Sequence, residues 1–140
     1  MKIAIEAQRI FRKEKHGMDY VALETIRELQ KIDQQNEYFI LVSPGDDICL
    51  QESANMHIVT VNWPSYPLWE QIGLPLALKK IKPDLLHCTS NTAPVYGNIP
   101  LVLTLHDIIV SIRPRACFFP LFSFLPLWLH YNLNPLCVQY

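Results

Sequence analysis

The sequence predicts an α/β domain built on a mostly parallel, Rossmann-like sheet with helices on its faces. Two observations support this prediction: short apolar runs alternate with amphipathic helical segments, and two of the runs are almost continuously apolar. Continuous apolar runs are typical of parallel strands buried on both faces. A chain in which strands and helices alternate forms such a sheet, with right-handed crossovers between parallel strands.

Five apolar runs are predicted to form the strands. They lie at residues 2–7, 38–43, 57–62, 85–89 and 101–106. The second run, YFILVS, and the fifth, LVLTLH, are the two that we expect to be buried on both faces. Because ligands bind beyond the carboxyl ends of strands in sheets of this kind, we expect the functional residues in the segments that follow these runs.

Two helices are predicted between the strands. The first covers residues 18–33, where apolar residues recur at helical spacing and charged residues fill the other face. The second covers residues 67–82 and begins at Pro67, a residue suited to a first helical turn. Pro75 lies inside this second segment, and its missing N–H predicts a kink or a division into two shorter helices.

Composition and charge exclude several classes of protein. Half of the 140 residues are hydrophobic, as in a globular chain, and the formal net charge of −1 gives no basic surface for nucleic acid. The four cysteines are scattered without CxxC spacing, so we expect neither a metal centre nor a disulfide framework. The first apolar run is too short for a signal peptide and is interrupted by Glu6, so a cytoplasmic protein is predicted.

Two segments at the carboxyl ends of strands contain candidate binding residues. The basic loop RIFRKEKHG ends in His16 and Gly17, where the free N–H groups of a helix start attract anions. The loop contains neither a GxGxxG fingerprint nor a P-loop, and no cofactor is predicted. After the fourth strand, Ser90, Asn91 and Thr92 can bind a hydroxyl-rich ligand, although such residues also form ordinary turns.

The fifth strand ends in a titratable pair, His106 and Asp107. The pair can act as a base and its partner or bind a sugar hydroxyl; alternatively, His106 packs at the strand end and Asp107 caps a turn. On the second helix, Glu70 is a candidate to cap the helix or to pair with a base. A metal site that recruits His87 to the pair is a weaker alternative, because histidine–aspartate metal hydrolases are all-helical, and no metal is predicted.

Three stretches, in this order, resemble the N-terminal domain of the family 4 glycosyltransferases of the GT-B fold. They are HGMDYVALETIRELQKIDQQNEYFILVSP, LWEQIGLPLALKKIKPDLLHCTSNTAP and IPLVLTLHDII, and the resemblance covers residues 1–110. Members of the family are retaining enzymes that build polysaccharides and glycolipids. The resemblance implies two partners for the intact enzyme: a nucleotide-sugar donor, and a glycan or lipid-linked acceptor.

The resemblance also implies roles for particular residues. Gly17 occupies the position of the family's glycine loop, near the acceptor and the donor phosphates. That loop usually reads Gly-Gly or Gly-Ile-Gly, whereas this chain has one glycine, with Asp19 where an arginine often stands.

His106 matches the histidine of the family's T.HD motif, which lies at the interdomain cleft beside the donor sugar. Asp107 matches its neighbour, which orients the loop, and Ser90 and Asn91 fall in the loop that commonly lines the acceptor side. We therefore predict catalytic roles for His106 and Asp107, and substrate-binding roles for His16, Gly17, Ser90 and Asn91.

Residues 111–140 depart from the family's pattern. No charged residue follows Arg115, and Pro114, Pro120, Pro126 and Pro135 interrupt the apolar tail. A frameshifted or truncated reading frame is one interpretation. Peripheral membrane contact is a second, although the apolar run is too short to span a bilayer, and a tail packed on the sheet is a third.

In the family, the donor nucleotide binds mainly to a C-terminal Rossmann-like domain with a Glu-x7-Glu type motif. We expect this chain to lack such a domain, and the isolated chain is therefore expected to have no transfer activity. A non-catalytic remnant or binding module with the same fold is the alternative function.

Overall fold

The computed structural model describes residues 1–106, and in this part of the chain five strands form one sheet. They are β1 (Lys2–Glu6), β2 (Glu37–Val42), β3 (Met56–Thr60), β4 (Leu85–Cys88) and β5 (Leu101–Leu103). All four strand pairs are parallel, and the strand order is β3-β2-β1-β4-β5. The predicted α/β fold with a Rossmann-like parallel sheet is confirmed, and each predicted run overlaps one strand.

Two helical segments join the strands. α1 (Gly17–Ile32) connects β1 to β2 and lies within one residue of its predicted bounds. The segment between β3 and β4 consists of α2 (Tyr66–Leu68), a π-helical turn (Trp69–Gly73) and α3 (Leu74–Ile81). Because Pro75 has no N–H for the helical ladder, the wider turn just before it divides the segment. The predicted division is therefore confirmed.

Two apolar cores lie on the two faces of the sheet. Ile26 of α1 packs in one core together with Ile5, whereas Trp69 and Leu74 of the second segment pack in the other. Neighbouring residues of a strand face opposite sides, so Ala4 joins the second core while Ile5 joins the first. Right-handed crossovers that run in opposite directions across the sheet place the two helical segments on opposite faces.

The fifth strand is shorter and less buried than predicted. β5 ends at Leu103, so His106 lies beyond the sheet. In the described sheet β5 is an edge strand, and Leu101 and Val102 are half-buried. The prediction that this run is buried on both faces is wrong for the described part of the chain. A strand that packs on only one face can still consist of apolar residues. An apolar run in the sequence therefore does not show whether its strand lies at the centre or at the edge of the sheet.

The chain adds strands on one side of β1 first and then on the other side, so the strand order reverses between β1 and β4. The chain moves from β1 to β2 and β3, and then crosses back to β4 on the other side of β1. At such a topological switch point the loops at the carboxyl ends diverge and leave a crevice. Here these loops begin at Ala7 and Thr89. This crevice is therefore the place in the fold where a ligand site is expected.

Some of the predictions concern residues beyond 106, which the structure does not describe. They are the role of Asp107, the domain boundary near residue 110 and the three interpretations of the tail. Within residues 1–106, no helix combines the length and apolar character needed to cross a bilayer.

Gly45 allows two loops at the carboxyl edge of the sheet to approach closely. A Cβ atom at Gly45 would lie 2.1 Å from the main-chain oxygen of Phe11. Because this neighbour is backbone, Gly45→Ala must push the two loops apart. We expect the free energy of unfolding, measured with urea, to fall by about 1–3 kcal/mol, the usual range for overpacking.

Gly97→Ala is the matched control for this variant, because among residues 1–106 a Cβ atom at Gly97 would meet no atom within 4 Å beyond its chain neighbours. The control is expected to unfold at the wild-type urea concentration. Equal midpoints for the two variants would contradict the close approach at Gly45.

Candidate functional site

Polar side chains from three elements meet at the switch point. One comes from the end of β1, two from the second helical segment, and two from the loop after β4. We call these residues the switch-point cluster: Glu6, Tyr66, Glu70, Thr89 and Thr92. The cluster lies at the carboxyl edge of the sheet, where parallel sheets bind ligands.

Glu6 joins the ends of β1 and β4. Its side-chain oxygens accept the N–H groups of Gln8 at 3.1 Å and Thr89 at 3.3 Å, and Thr89 Oγ1 donates to the Glu6 carbonyl at 2.8 Å. Glu6 is 1% exposed. Burial, and to a smaller extent the charge of Glu70, raise the pKa of Glu6 to about 7, against the hydrogen bonds that lower it. A partly protonated carboxyl group therefore lies at the centre of the switch point at neutral pH.

Side-chain donors surround the buried Glu70 carboxylate. Thr92 Oγ1 and Tyr66 Oη bond to one oxygen, the latter at 3.1 Å, and Gln71 Nε2 bonds to the other at 2.8 Å. The two hydroxyl oxygens of Tyr66 and Thr92 lie 2.7 Å apart. Burial, followed by the charges of Glu6 and Glu70, raises the pKa of the Tyr66 phenol well above its usual range. The Tyr66 hydroxyl is therefore a permanent hydrogen-bond donor here.

Arg9 places a positive charge beside these acidic groups. Its guanidinium carbon lies 4.7 Å from the centre of the Tyr66 ring, within the range of a cation–π interaction. Among residues 1–106, neither Glu6 nor Glu70 forms an ion pair with a lysine or an arginine. The cluster is therefore held mainly by hydrogen bonds, with Arg9 as a nearby charge that lowers the pKa of Glu6.

Two of the other cations in the basic loop are paired with carboxylates of the protein itself. Arg12 forms an ion pair with the buried Asp19, and Lys15 forms one with Asp47. Asp19 also accepts the N–H group of His16 at 2.6 Å. A carboxylate thus occupies the positive end of the α1 dipole, where the sequence predicted an external anion.

His16 and Gly17 are exposed at the start of α1. Within residues 1–106, a Cβ atom at Gly17 would meet nothing within 4 Å, so packing in this part of the chain imposes no requirement for glycine. A phosphate at this position would approach the Asp19 carboxylate, which opposes it electrostatically. Contact of His16 and Gly17 with a substrate stays a prediction.

Asn91 connects the loop after β4 to the residues after β5. Its φ of 57° lies in the left-handed region, which asparagine adopts more readily than most residues. Asn91 Oδ1 accepts the N–H group of His106 at 2.7 Å, and its own N–H donates to the Thr104 carbonyl at 3.2 Å. This position of His106 therefore depends on the loop after β4.

The imidazole of His106 is oriented by Thr89. Its Nε2 lies 2.8 Å from the Thr89 carbonyl oxygen. A carbonyl can only accept, so Nε2 carries a proton in this contact. Among residues 1–106, Nδ1 of His106 has no hydrogen-bond partner. In the neutral ring, Nδ1 can then accept a hydrogen bond.

Several predicted site residues are neighbours in the structure. Ser90, Asn91 and His106 lie together beyond β4 and β5, beside the switch-point cluster. Asn91 Nδ2 also lies 3.8 Å from the Met18 sulfur, so the start of α1 borders the same loop. Asp107 lies outside the described residues. Roles of these residues in catalysis and binding stay predictions.

His87 belongs to the sheet and contacts a different residue. Its Nε2 lies 2.8 Å from Thr104 Oγ1, and burial lowers its pKa. Within residues 1–106, no group of three or more His, Cys, Asp or Glu side chains is arranged to hold a metal ion.

Sequence reasoning missed Glu6, Tyr66 and Thr89 as site residues, whereas Thr92 was among the residues predicted to suit a hydroxyl-rich ligand. An acidic residue that ends an otherwise apolar first strand was the available signal for Glu6, since such a side chain lies at the carboxyl edge of a sheet. Glu70 was a candidate to cap a helix or pair with a base. Its hydrogen-bond partners within the described residues are instead two hydroxyls and an amide.

No protein-family model matches the chain, and no curated protein matches it. The resemblance to the family 4 glycosyltransferases therefore rests on the stretches quoted above.

Glu6 is expected to make the protein less stable as the pH rises. Its pKa is raised from 4.5 to about 7 in the folded protein, so between these values the unfolded chain loses a proton that the folded chain keeps. The stabilisation is fully present below pH 4.5 and is lost as the pH rises through 7. At about 1.4 kcal/mol per pKa unit, the loss is about 3 kcal/mol.

Urea unfolding at about pH 5 and about pH 8 measures this effect. Glu6→Gln cannot ionise and is expected to remove most of the pH dependence, whereas Glu37→Gln, at the amino end of β2, is expected to retain it. An identical pH dependence in wild type and Glu6→Gln would contradict the assignment to Glu6.

Proposed function

We propose that residues 1–106 form the acceptor side of a retaining glycosyltransferase. The enzyme would transfer a sugar from a nucleotide-sugar donor to a glycan or lipid-linked acceptor. The observation that most supports this proposal is the convergence of hydroxyl, amide and carboxyl groups at the β1–β4 switch point. In the family that the sequence resembles, the loop after β4 borders the acceptor.

The chemistry of the crevice suits a ligand rich in hydroxyl groups. A sugar hydroxyl both donates and accepts hydrogen bonds, as do the side chains of Ser90 and Asn91. Both residues are half-exposed in the described part of the chain. Neutral groups bind a hydroxyl without the large desolvation cost of an isolated charge.

In this proposal, His106 contacts the ligand through Nδ1. The Thr89 carbonyl already uses the Nε2 proton, which leaves Nδ1 as the acceptor in the neutral ring. The proposal also includes a catalytic role for Asp107, the next residue in the chain. Only the resemblance to the family supports that role.

A non-catalytic binding module with the same fold is the second candidate. It is favoured by the pairing of Arg12 with Asp19 and of Lys15 with Asp47, because these ion pairs use cations that could otherwise contact donor phosphates. Such a module would keep the fold without group transfer.

Titration of the full chain with methyl glycosides of glucose, mannose and N-acetylglucosamine tests the proposal. We expect at least one of the three to give saturable shifts in the ¹H–¹⁵N spectrum at Ser90, Asn91 and His106. Ser90→Ala is expected to weaken binding about 3–10-fold, since a neutral hydrogen bond contributes about 1 kcal/mol.

Thr25→Val is the matched control, because it removes one hydroxyl from the exposed face of α1, where Thr25 donates to the Val21 carbonyl. The control is expected to bind like wild type. A folded chain that gives no saturable shift with any of the three glycosides would contradict the proposal and favour the non-catalytic module.

A further inference from the structure

We propose that Glu6 is a positioning residue for His106 and that it acts through Thr89. Glu6 is the last residue of β1, whereas Thr89 and His106 follow the ends of β4 and β5, and these three strands are consecutive in the sheet. A continuous chain of hydrogen bonds connects them. The role of these hydrogen bonds in binding a ligand rests on the proposed function. The hydrogen bonds themselves do not depend on it.

The first link fixes Thr89 at two points. Its N–H donates to the Glu6 side chain at 3.3 Å, and its hydroxyl donates to the Glu6 carbonyl at 2.8 Å. Glu6 and Thr89 are both buried, at 1% and 5% exposed, so water does not replace these bonds readily. The orientation of Thr89 therefore depends on the side chain as well as the main chain of Glu6.

The second link transfers this orientation to the imidazole. The Thr89 carbonyl accepts the Nε2 proton of His106 at 2.8 Å. His106 lies beyond the end of β5, and its main-chain N–H bonds to Asn91 in the same loop as Thr89. Within the described residues, both hydrogen bonds of His106 thus go to the loop that Glu6 fixes.

The charged and titratable groups around Glu6 come from four elements. Glu70 faces it from the π-helical turn, Tyr66 from α2, Arg9 from the loop after β1, and Cys88 from β4. Glu70 repels an ionised Glu6, whereas Arg9 attracts it. Loss of the Glu6 proton therefore changes the forces on the side chain that fixes Thr89. Because burial raises the pKa of Glu6 to about 7, this change falls near neutral pH.

The imidazole N–H of His106, observed by NMR in the full chain without ligand, tests the proposal. In wild type we expect a distinct Nε2–H signal that exchanges slowly with water. Glu6→Ala removes the acceptor of the Thr89 N–H, and exchange is expected to become faster by on the order of tenfold or more as the contact opens locally. Glu70→Gln is the matched control, because Glu70 makes no hydrogen bond to Thr89.

Equal exchange rates in folded wild type and Glu6→Ala, or equal acceleration in Glu70→Gln, would overturn the proposal. If Glu6→Ala does not fold, Glu6→Gln provides a second readout. In wild type the Thr89 amide signal is expected to shift with a midpoint near pH 7, and in Glu6→Gln this shift is expected to disappear. A midpoint that persists in Glu6→Gln belongs to another group and overturns the proposal. Because no readout uses a glycoside, failure here is distinct from failure of the proposed function.

Discussion

Burial of the Glu6 carboxyl group at the junction of β1 and β4 is the constraint on which the crevice depends. An ionised carboxylate is costly to bury unless it is paired, and among residues 1–106 no lysine or arginine forms an ion pair with Glu6. The group instead retains a proton more readily and accepts two main-chain N–H groups. These contacts hold the first residue after β4, and through it the residues that follow β5.

The π-helical turn brings a second acidic side chain, Glu70, to the switch point. Trp69 and Glu70 are consecutive residues, and both are buried. Trp69 packs in the second core and donates its Nε1–H to the Val61 carbonyl at 2.8 Å, whereas Glu70 bonds to side chains at the crevice. Turns of this type occur frequently at functional sites. The same short segment thus anchors the helix in the core and supplies an acidic group to the crevice.

Local patterns predicted the fold better than the site. Hydrophobic periodicity placed α1 within one residue, and Pro75 predicted the division of the second helical segment. The position of β5 at an edge depends on strand order, which a local pattern does not contain. The contact between Glu6 and Thr89 likewise joins residues 83 positions apart, so their pairing could not be identified before β1 and β4 were known to be neighbours. The pairing of Asp19 with Arg12 was hidden for a related reason, because a basic loop gives no indication of which charges are already paired.

A ¹³C NMR titration of the Glu6 side-chain carboxyl carbon tests the central claim most directly. We expect a midpoint near pH 7, because burial favours the neutral acid. A midpoint near 4.5, the ordinary value for glutamate, would show that Glu6 is ionised in the folded protein. That result would contradict the view that a buried carboxyl group that stays largely protonated up to near neutral pH holds the ends of β1 and β4 together.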